Sequence, residues 1–213
     1  MGHAIEALAA ERGHEVTAKL DKDDPWLAKI DADVAIEFTT PATAVGNMLR
    51  CFESGLPVVC GTTGWYADYE KVIGGCEAHG GSLFTATNFS IGMNIMFELN
   101  RRLAELMRGR EDYKVSISET HHIHKLDAPS GTAITLQEQI VDSGERRAED
   151  VPIASFREGE VPGTHTIVYD SEIDTLTLTH EAHSRKGLAL GAVLAAEFLA
   201  KAKPGVYTMK DIL

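Results

Sequence analysis

The chain has 213 residues, with 20 Lys and Arg against 32 Asp and Glu, a formal net charge of −12 that argues against a phosphate-gripping nucleic-acid surface. Its 44% hydrophobic and 24% charged residues exclude disorder as the main state, and no apolar run approaches the roughly 20 residues that would span a bilayer. Neither a membrane nor a nucleic acid is an expected partner, and no secretory leader is read. The three cysteines, Cys51, Cys60 and Cys76, lack C-x-x-C spacing and suggest neither a disulfide framework nor a zinc site, so a reducing cytoplasm is the expected compartment.

The first half alternates helical stretches with short apolar runs. An amphipathic helix, Ala4 to Arg12, is stopped by Gly13 and followed by a strand predicted at Glu15 to Leu20. Further strands are predicted at Val34 to Phe38, Pro57 to Cys60 and Ser82 to Ala86, with helices at Thr43 to Glu53 and Asp68 to Ala78 between them. That rhythm is the pattern of a parallel α/β sheet. The second half changes to a period of two at Lys114 to Thr120, Thr164 to Tyr169 and Asp174 to His180, which predicts a sheet with one buried and one polar face, free to meet water or a partner subunit. Ser143 to Val151 reads as an exposed loop. A helix returns at Gly187 to Lys201 and is ended by Pro204-Gly205.

Gly-helix-strand is the back half of a dinucleotide fold, and Asp21 stands 19 positions after Gly2, where an acidic residue can hold the adenosine ribose hydroxyls. Two loops follow predicted parallel strands, Gly61-Thr62-Thr63-Gly64 and Ala86-Thr87-Asn88-Phe89-Ser90. Both place small or amide-bearing residues where backbone can approach a ligand, though turn chemistry alone would also account for them.

The sharpest signal is the run from Glu119 to Ala133, Glu119-Thr120-His121-His122 at its opening and Asp127-Ala128-Pro129-Ser130-Gly131-Thr132-Ala133 at its close, leading from a strand into a helix. Ser130 has N-cap chemistry, and the amides near Gly131 and Thr132 form a helix N-terminus suited to an anion. Lys125 adds a cation, while His121 and His122 bring imidazoles whose ordinary pKa near 6.5 allows proton exchange at physiological pH. Together they describe a small-anion site. A rival use is metal ligation by His121, His122 and His124, because His122 and His124 would share one face of a strand. No carboxylate or cysteine is spaced to complete such a site, so no metal is expected.

These residues resemble the family of 4-hydroxy-tetrahydrodipicolinate reductases. The E-x-H-H-x-x-K-x-D-A-P-S-G-T-A block stands as Glu119 to Ala133, and Gly61-Thr62-Thr63-Gly64, Asn88-Phe89-Ser90, Gly191-Ala192 and Tyr207 to Asp211 look like family features. The resemblance implies an α/β chain with a Rossmann-like dinucleotide-binding domain, residues 1–90 with 187–213, and an inserted α+β substrate and oligomerisation domain, residues 91–186, built on an open mixed sheet. Members open with a strand and a G-x-G-x-M-G turn, of which Met1 and Gly2 remain here, so the resemblance implies that the first strand is missing from this chain. It also implies a homotetramer and hydride transfer from NADH or NADPH to the ring of a dicarboxylate, with water lost, in lysine and diaminopimelate synthesis. His121 would then transfer the proton with Lys125 as a second donor, and His122, Ser130, Gly131 and Thr132 would bind substrate. Met1, Gly2, Gly61, Thr62, Thr63, Ala86, Thr87, Asn88 and Phe89 would meet the cofactor. Asp21 would accept from the ribose 2′-hydroxyl and favour NADH, with Lys22 beside it tolerating NADPH. The alternatives in other classes are a metal-dependent hydrolase built on the histidines and an inactive cofactor-sensing module.

Overall fold

Strands buried on both faces must be apolar on both, and of the short runs in the first half Pro57 to Cys60 meets that demand without an interruption. The computed structural model describes residues 1–21, 24–26, 30–143 and 146–213. In chain order the helices and strands are α1 (Gly2–Glu11), β1 (Ala35–Glu37), α2 (Pro41–Glu53), β2 (Val58–Cys60), α3 (Tyr69–Ala78), β3 (Ser82–Thr85) and α4 (Ile91–Leu106). They continue as β4 (Lys114–His121), α5 (Gly131–Asp142), β5 (Ile153–Arg157), β6 (Thr164–Asp170), β7 (Thr175–Glu181), α6 (Lys186–Leu199) and β8 (Gly205–Tyr207). Two compact units result, Met1–Ile91 with Leu188–Leu213, and Gly92–Gly187. No helix among the described residues is long and apolar enough to cross a membrane.

The first unit holds a parallel sheet of order β1-β2-β3-β8. Val58, Cys60 and Leu83 face a cluster with Met48 and Phe52 of α2 and Val72 of α3, while Val59 and Phe84 face Ile5 of α1 and Ala192 and Leu199 of α6. Each such fully buried Val, Leu or Phe contributes about 1.5–3 kcal/mol. Pro41 opens α2 at a position where its missing N–H costs nothing, and the Thr43 hydroxyl accepts from the Thr40 amide at 3.3 Å. Gly191 lets α6 lie against the loop after β3: a Cβ there would stand 1.7 Å from the Phe89 carbonyl oxygen.

The second unit holds a mixed sheet of order β5-β4-β6-β7, in which β4 runs parallel to β5 and antiparallel to β6. Val115 and Ile117 of β4 and Ile167 and Tyr169 of β6 are buried beneath α4 and α5 with Met93, Phe97, Leu136 and Ile140. Asn100, wholly buried on α4, donates to the Leu136 carbonyl of α5 at 3.0 Å, so a polar pin joins the two helices.

Several sequence-based expectations need correcting. Glu15 to Leu20 is irregular chain, because among the described residues no strand lies beside it to complete a ladder, and an unpaired extended segment has no partner for its amides and carbonyls. Pro204-Gly205 ends a helix as expected but also begins β8. The loop around Arg147 contains a 3-10 turn, Ala148–Asp150, and ends on the buried Val151. Strand β5 and helix α4 have no counterpart among the elements that the sequence pattern predicts.

Candidate active site

The inward face of β4 is apolar at one end and ionisable at the other. Val115 and Ile117 are followed at the same two-residue period by Glu119 and His121, and all four are buried. The sheet register sets Glu119 opposite His165 on β6 and His121 opposite Arg157, the last residue of β5. The strand therefore delivers two titratable groups to its own C-terminal end, where the chain leaves the sheet.

Those groups are tightly knit. Glu119 Oε2 accepts from His121 Nδ1, and Glu119 Oε1 accepts from Arg157 Nη1 at 3.0 Å. Burial alone would raise the Glu119 carboxyl, but the Ser155 hydroxyl, Arg157 and His121 together hold it below its ordinary value. An ionised Glu119 accepting at Nδ1 fixes the hydrogen there and leaves Nε2 as the unprotonated nitrogen of the ring. Burial pushes His121 below its ordinary value, and the Lys125 and Arg157 charges add to that against the pull of Glu119, so the imidazole is neutral at neutral pH.

His165 stands edge-on to His121 with ring centroids 5.0 Å apart, and its Nε2 lies 3.2 Å from Ser130 Oγ. Burial drives its pKa down to about 4, with His121 acting in the same sense. Ser130 caps α5, its hydroxyl oxygen accepting from the Ala133 amide at 3.2 Å. Lys125 Nζ reaches both oxygens of Asp127 at 2.8 and 2.9 Å. Burial would raise Asp127, yet Lys125 and the backbone amides of Asp127 and Gly131 hold it down, which ties the lysine to the start of α5. Gly131 is exposed and Thr132 half-buried at that helix start.

His122 and His124 go elsewhere. Strand β4 ends at His121 and a turn follows, so the shared strand face expected for His122 and His124 does not form. His122 Nε2 lies 2.9 Å from Arg185 Nη2, and His124 stands exposed, 3.3 Å from Glu160. Among the described residues the trio able to bring three ligand atoms within 4.8 Å of one another is Glu119, His121 and His165. Both oxygens of Glu119 are already engaged, one by an arginine, so the metal-dependent hydrolase drawn on His121, His122 and His124 is not built here.

The first unit carries a separate cleft of about 370 Å³ lined by Met1, Phe38, Thr39, Pro41, Gly61, Thr62 and Thr63. The Thr62 hydroxyl accepts from the Thr39 amide at 2.7 Å, and its carbonyl accepts from Trp65 Nε1 at 2.9 Å, which makes the loop rigid. A Cβ on Gly61 would fall 2.0 Å from the Phe38 ring. Helix α1 starts at Gly2 beside this cleft, and no side chain caps its first turn. A floor of small residues, an aromatic ring and a helix N-terminus fit part of a dinucleotide. On the loop after β3, Ala86 is half-buried, Thr87 exposed, Asn88 Oδ1 accepts from the Ser90 amide at 2.9 Å, and Phe89 is buried against α6. Asp21 is exposed, its amide donating to Asp24 at 2.7 Å, and Lys22 lies outside the described residues.

Family models match nearly the whole chain, dihydrodipicolinate reductase N-terminus over residues 1–89 and dihydrodipicolinate reductase C-terminus over residues 92–213. The chain belongs to the dihydrodipicolinate reductase family. A protein of Christiangramia forsetii named 4-hydroxy-tetrahydrodipicolinate reductase is 47% identical over 224 residues, spanning 100% of this chain and 93% of its own. One of the same name from Methanopyrus kandleri is 38% identical, over 89% of this chain and 74% of its own. A solved dihydrodipicolinate reductase from a Paenisporosarcina species, with dipicolinate bound, superposes with a TM-score of 0.69 at 25% identity, over 85% of this chain and 74% of that one.

Within this dihydrodipicolinate reductase fold, His121, Lys125 and Gly131 are linked through Glu119, Arg157 and Asp127, while His122 and His124 of the same block meet Arg185 and Glu160. Arg157 and His165 escaped the sequence reading. His165 sits in a plain Thr-His-Thr alternation, and only the register of β6 against β4 brings it to Glu119.

Proposed function

We propose that the chain reduces 4-hydroxy-tetrahydrodipicolinate to tetrahydrodipicolinate with loss of water, using NAD(P)H, as a step of lysine and diaminopimelate biosynthesis in the cytoplasm. The observation that carries this reading is the buried Glu119–His121 pair ending β4, with Lys125 and the first turn of α5 grouped about it. A ring bearing two carboxylates calls for a cation and hydrogen-bond donors, here Lys125 with the Gly131 and Thr132 amides and, beside its contact with Arg185, His122, while Ser130 holds the helix start in place. A carbon that accepts hydride builds up negative charge on the ring, and a proton-transferring group within hydrogen-bond reach lowers that barrier. We assign proton transfer to His121 Nε2, which as the unprotonated ring nitrogen takes up a proton as water is lost and returns it to the ring after the hydride arrives, with Lys125 the second candidate donor.

The first unit would hold the cofactor through Met1, Gly2, Gly61, Thr62, Thr63 and the Ala86 to Phe89 loop, and the cofactor supplies the hydride. Asp21 would accept from the ribose 2′-hydroxyl, so NADH is preferred and NADPH tolerated. The second unit would bind substrate and join four copies into a homotetramer.

The test is a coupled assay at 340 nm, with substrate made in situ from pyruvate and aspartate semialdehyde. Steady consumption of NADH is expected, with His121→Asn lowering kcat about 10²- to 10⁴-fold. Protein that binds a dicarboxylate but never consumes NADH or NADPH would replace this reading with a sensing module. A hundredfold preference for NADPH in kcat/KM would overturn the role given to Asp21.

A further inference from the structure

One guanidinium touches Glu119, the partner of His121, and the loop that carries Lys125. Arg157 Nη1 donates to Glu119 Oε1 at 3.0 Å, Nε donates to the Lys125 carbonyl at 3.3 Å, and Nη2 donates to the Asp127 carbonyl. Its side chain is 20% exposed while that of Glu119 is wholly buried, so the ion pair closes over the carboxylate from the solvent side. The two loop carbonyls flank the segment that carries Lys125, and the planar fork of an arginine is what allows one side chain to meet a carboxylate and two carbonyls together. A lysine has the charge but lacks that reach.

We propose that Arg157 is the positioning residue of this site: it completes the charge balance of Glu119, so that His121 stays a neutral Nδ1–H imidazole, and it fastens the loop that presents Lys125. The proposal rests on the reading of His121 as the proton-transferring group. The physical ground is the cost of a buried charge. A carboxylate removed from water must be balanced, and if Arg157 did not balance Glu119 the nearest group able to do so would be His121, by taking a second proton. The groups facing His121 from each packed element are Glu119 on its own strand, Arg157 on β5, His165 on β6 with His180 behind it, and Lys125 from the loop. Of the cations among them, Arg157 is the one bonded to Glu119.

Two substitutions separate the two tasks. In Arg157→Gln the charge balance is lost, and the His121 imidazole, followed by ¹⁵N NMR titration of the whole protein, should titrate at least about one pH unit higher than in the wild type. In Arg157→Lys the charge remains and the fork is lost, so the His121 titration should stay within about half a unit while kcat/KM falls about tenfold or more. An unshifted His121 in a folded Arg157→Gln protein overturns the proposal. If that variant fails to fold, Arg157→Lys decides: wild-type kcat/KM overturns the fork, and a raised His121 titration overturns the charge role. Because the titration needs no turnover, a wild-type protein inert toward NADH would overturn the functional reading while leaving this measurement able to stand or fall alone.

Discussion

His165 shows what a single buried imidazole does to the molecule as a whole. It is 4% exposed, and burial lowers its pKa from 6.5 to about 4. A histidine with a depressed folded-state pKa takes up its proton first in the unfolded chain. Stability is therefore at its full value above about pH 6.5 and is lost as the pH falls toward 4, where the folded protein also protonates. The 1.5 units between pH 6.5 and 5 correspond to about 2 kcal/mol at 1.36 kcal/mol per unit. His121 and His180 are lowered in the same sense and add their own acid sensitivity. Urea denaturation of wild type and His165→Gln at pH 7 and pH 5 isolates the one residue. The variant should lose about 2 kcal/mol less than wild type on acidification, and equal losses would show that His165 already protonates freely when folded. At this scale the sequence disclosed the block from Glu119 to Ala133 because its residues adjoin. It concealed His165 and Arg157 because a strand register, not a spacing, brings them to it.

Among the elements, the contact of α6 with the loop after β3 is the least tolerant. Gly191 would carry a Cβ only 1.7 Å from the Phe89 carbonyl oxygen, a backbone atom that cannot swing aside as a side-chain tip would. Gly191→Ala must push α6 away from β3 and loosen the packing of Ala192 and Leu199 on Val59 and Phe84. Forced overpacking of this kind costs about 1–3 kcal/mol. Thermal unfolding should show a lower Tm for Gly191→Ala, whereas Gly46→Ala, where a Cβ meets nothing within 4 Å, should leave Tm unchanged or raised. The unequal legibility of elements has a related cause. β2 declares itself as an unbroken apolar run because both its faces are buried, β3 by Leu83 and Phe84 between Ser82 and Thr85, and β4 and β6 as alternations because one face is buried. β5 does not, since its inward Ser155 and Arg157 serve Glu119 and blur the alternation that Ile153 begins. Glu15 to Leu20 shows the converse, for a β-like pattern without a neighbour to pair with forms no strand.

Among the described residues of the second unit, the sheet has no helix packed on one face. Its inward residues lie beneath α4 and α5, while Ser116, Ser118, Thr120, Thr166, Thr177 and Thr179 point to the other side in the registers that β4, β6 and β7 define. Phe156 stands among them opposite Thr120 and is 48% exposed. Hydroxyls can bond across a subunit boundary without leaving a buried charge, and one aromatic ring supplies an apolar anchor, so this face suits the sheet-to-sheet contact of the proposed homotetramer. An interface between identical copies repeats every change. In Phe156→Glu each copy would bring a new negative charge to the face, on a chain whose net charge is already −12. Sedimentation equilibrium at micromolar concentration should give the wild type about four times the chain mass of 23.1 kDa and Phe156→Glu a smaller species. A wild-type monomer under those conditions would refute the assembly, and a Phe156→Glu protein still at four copies would move the contact away from this face.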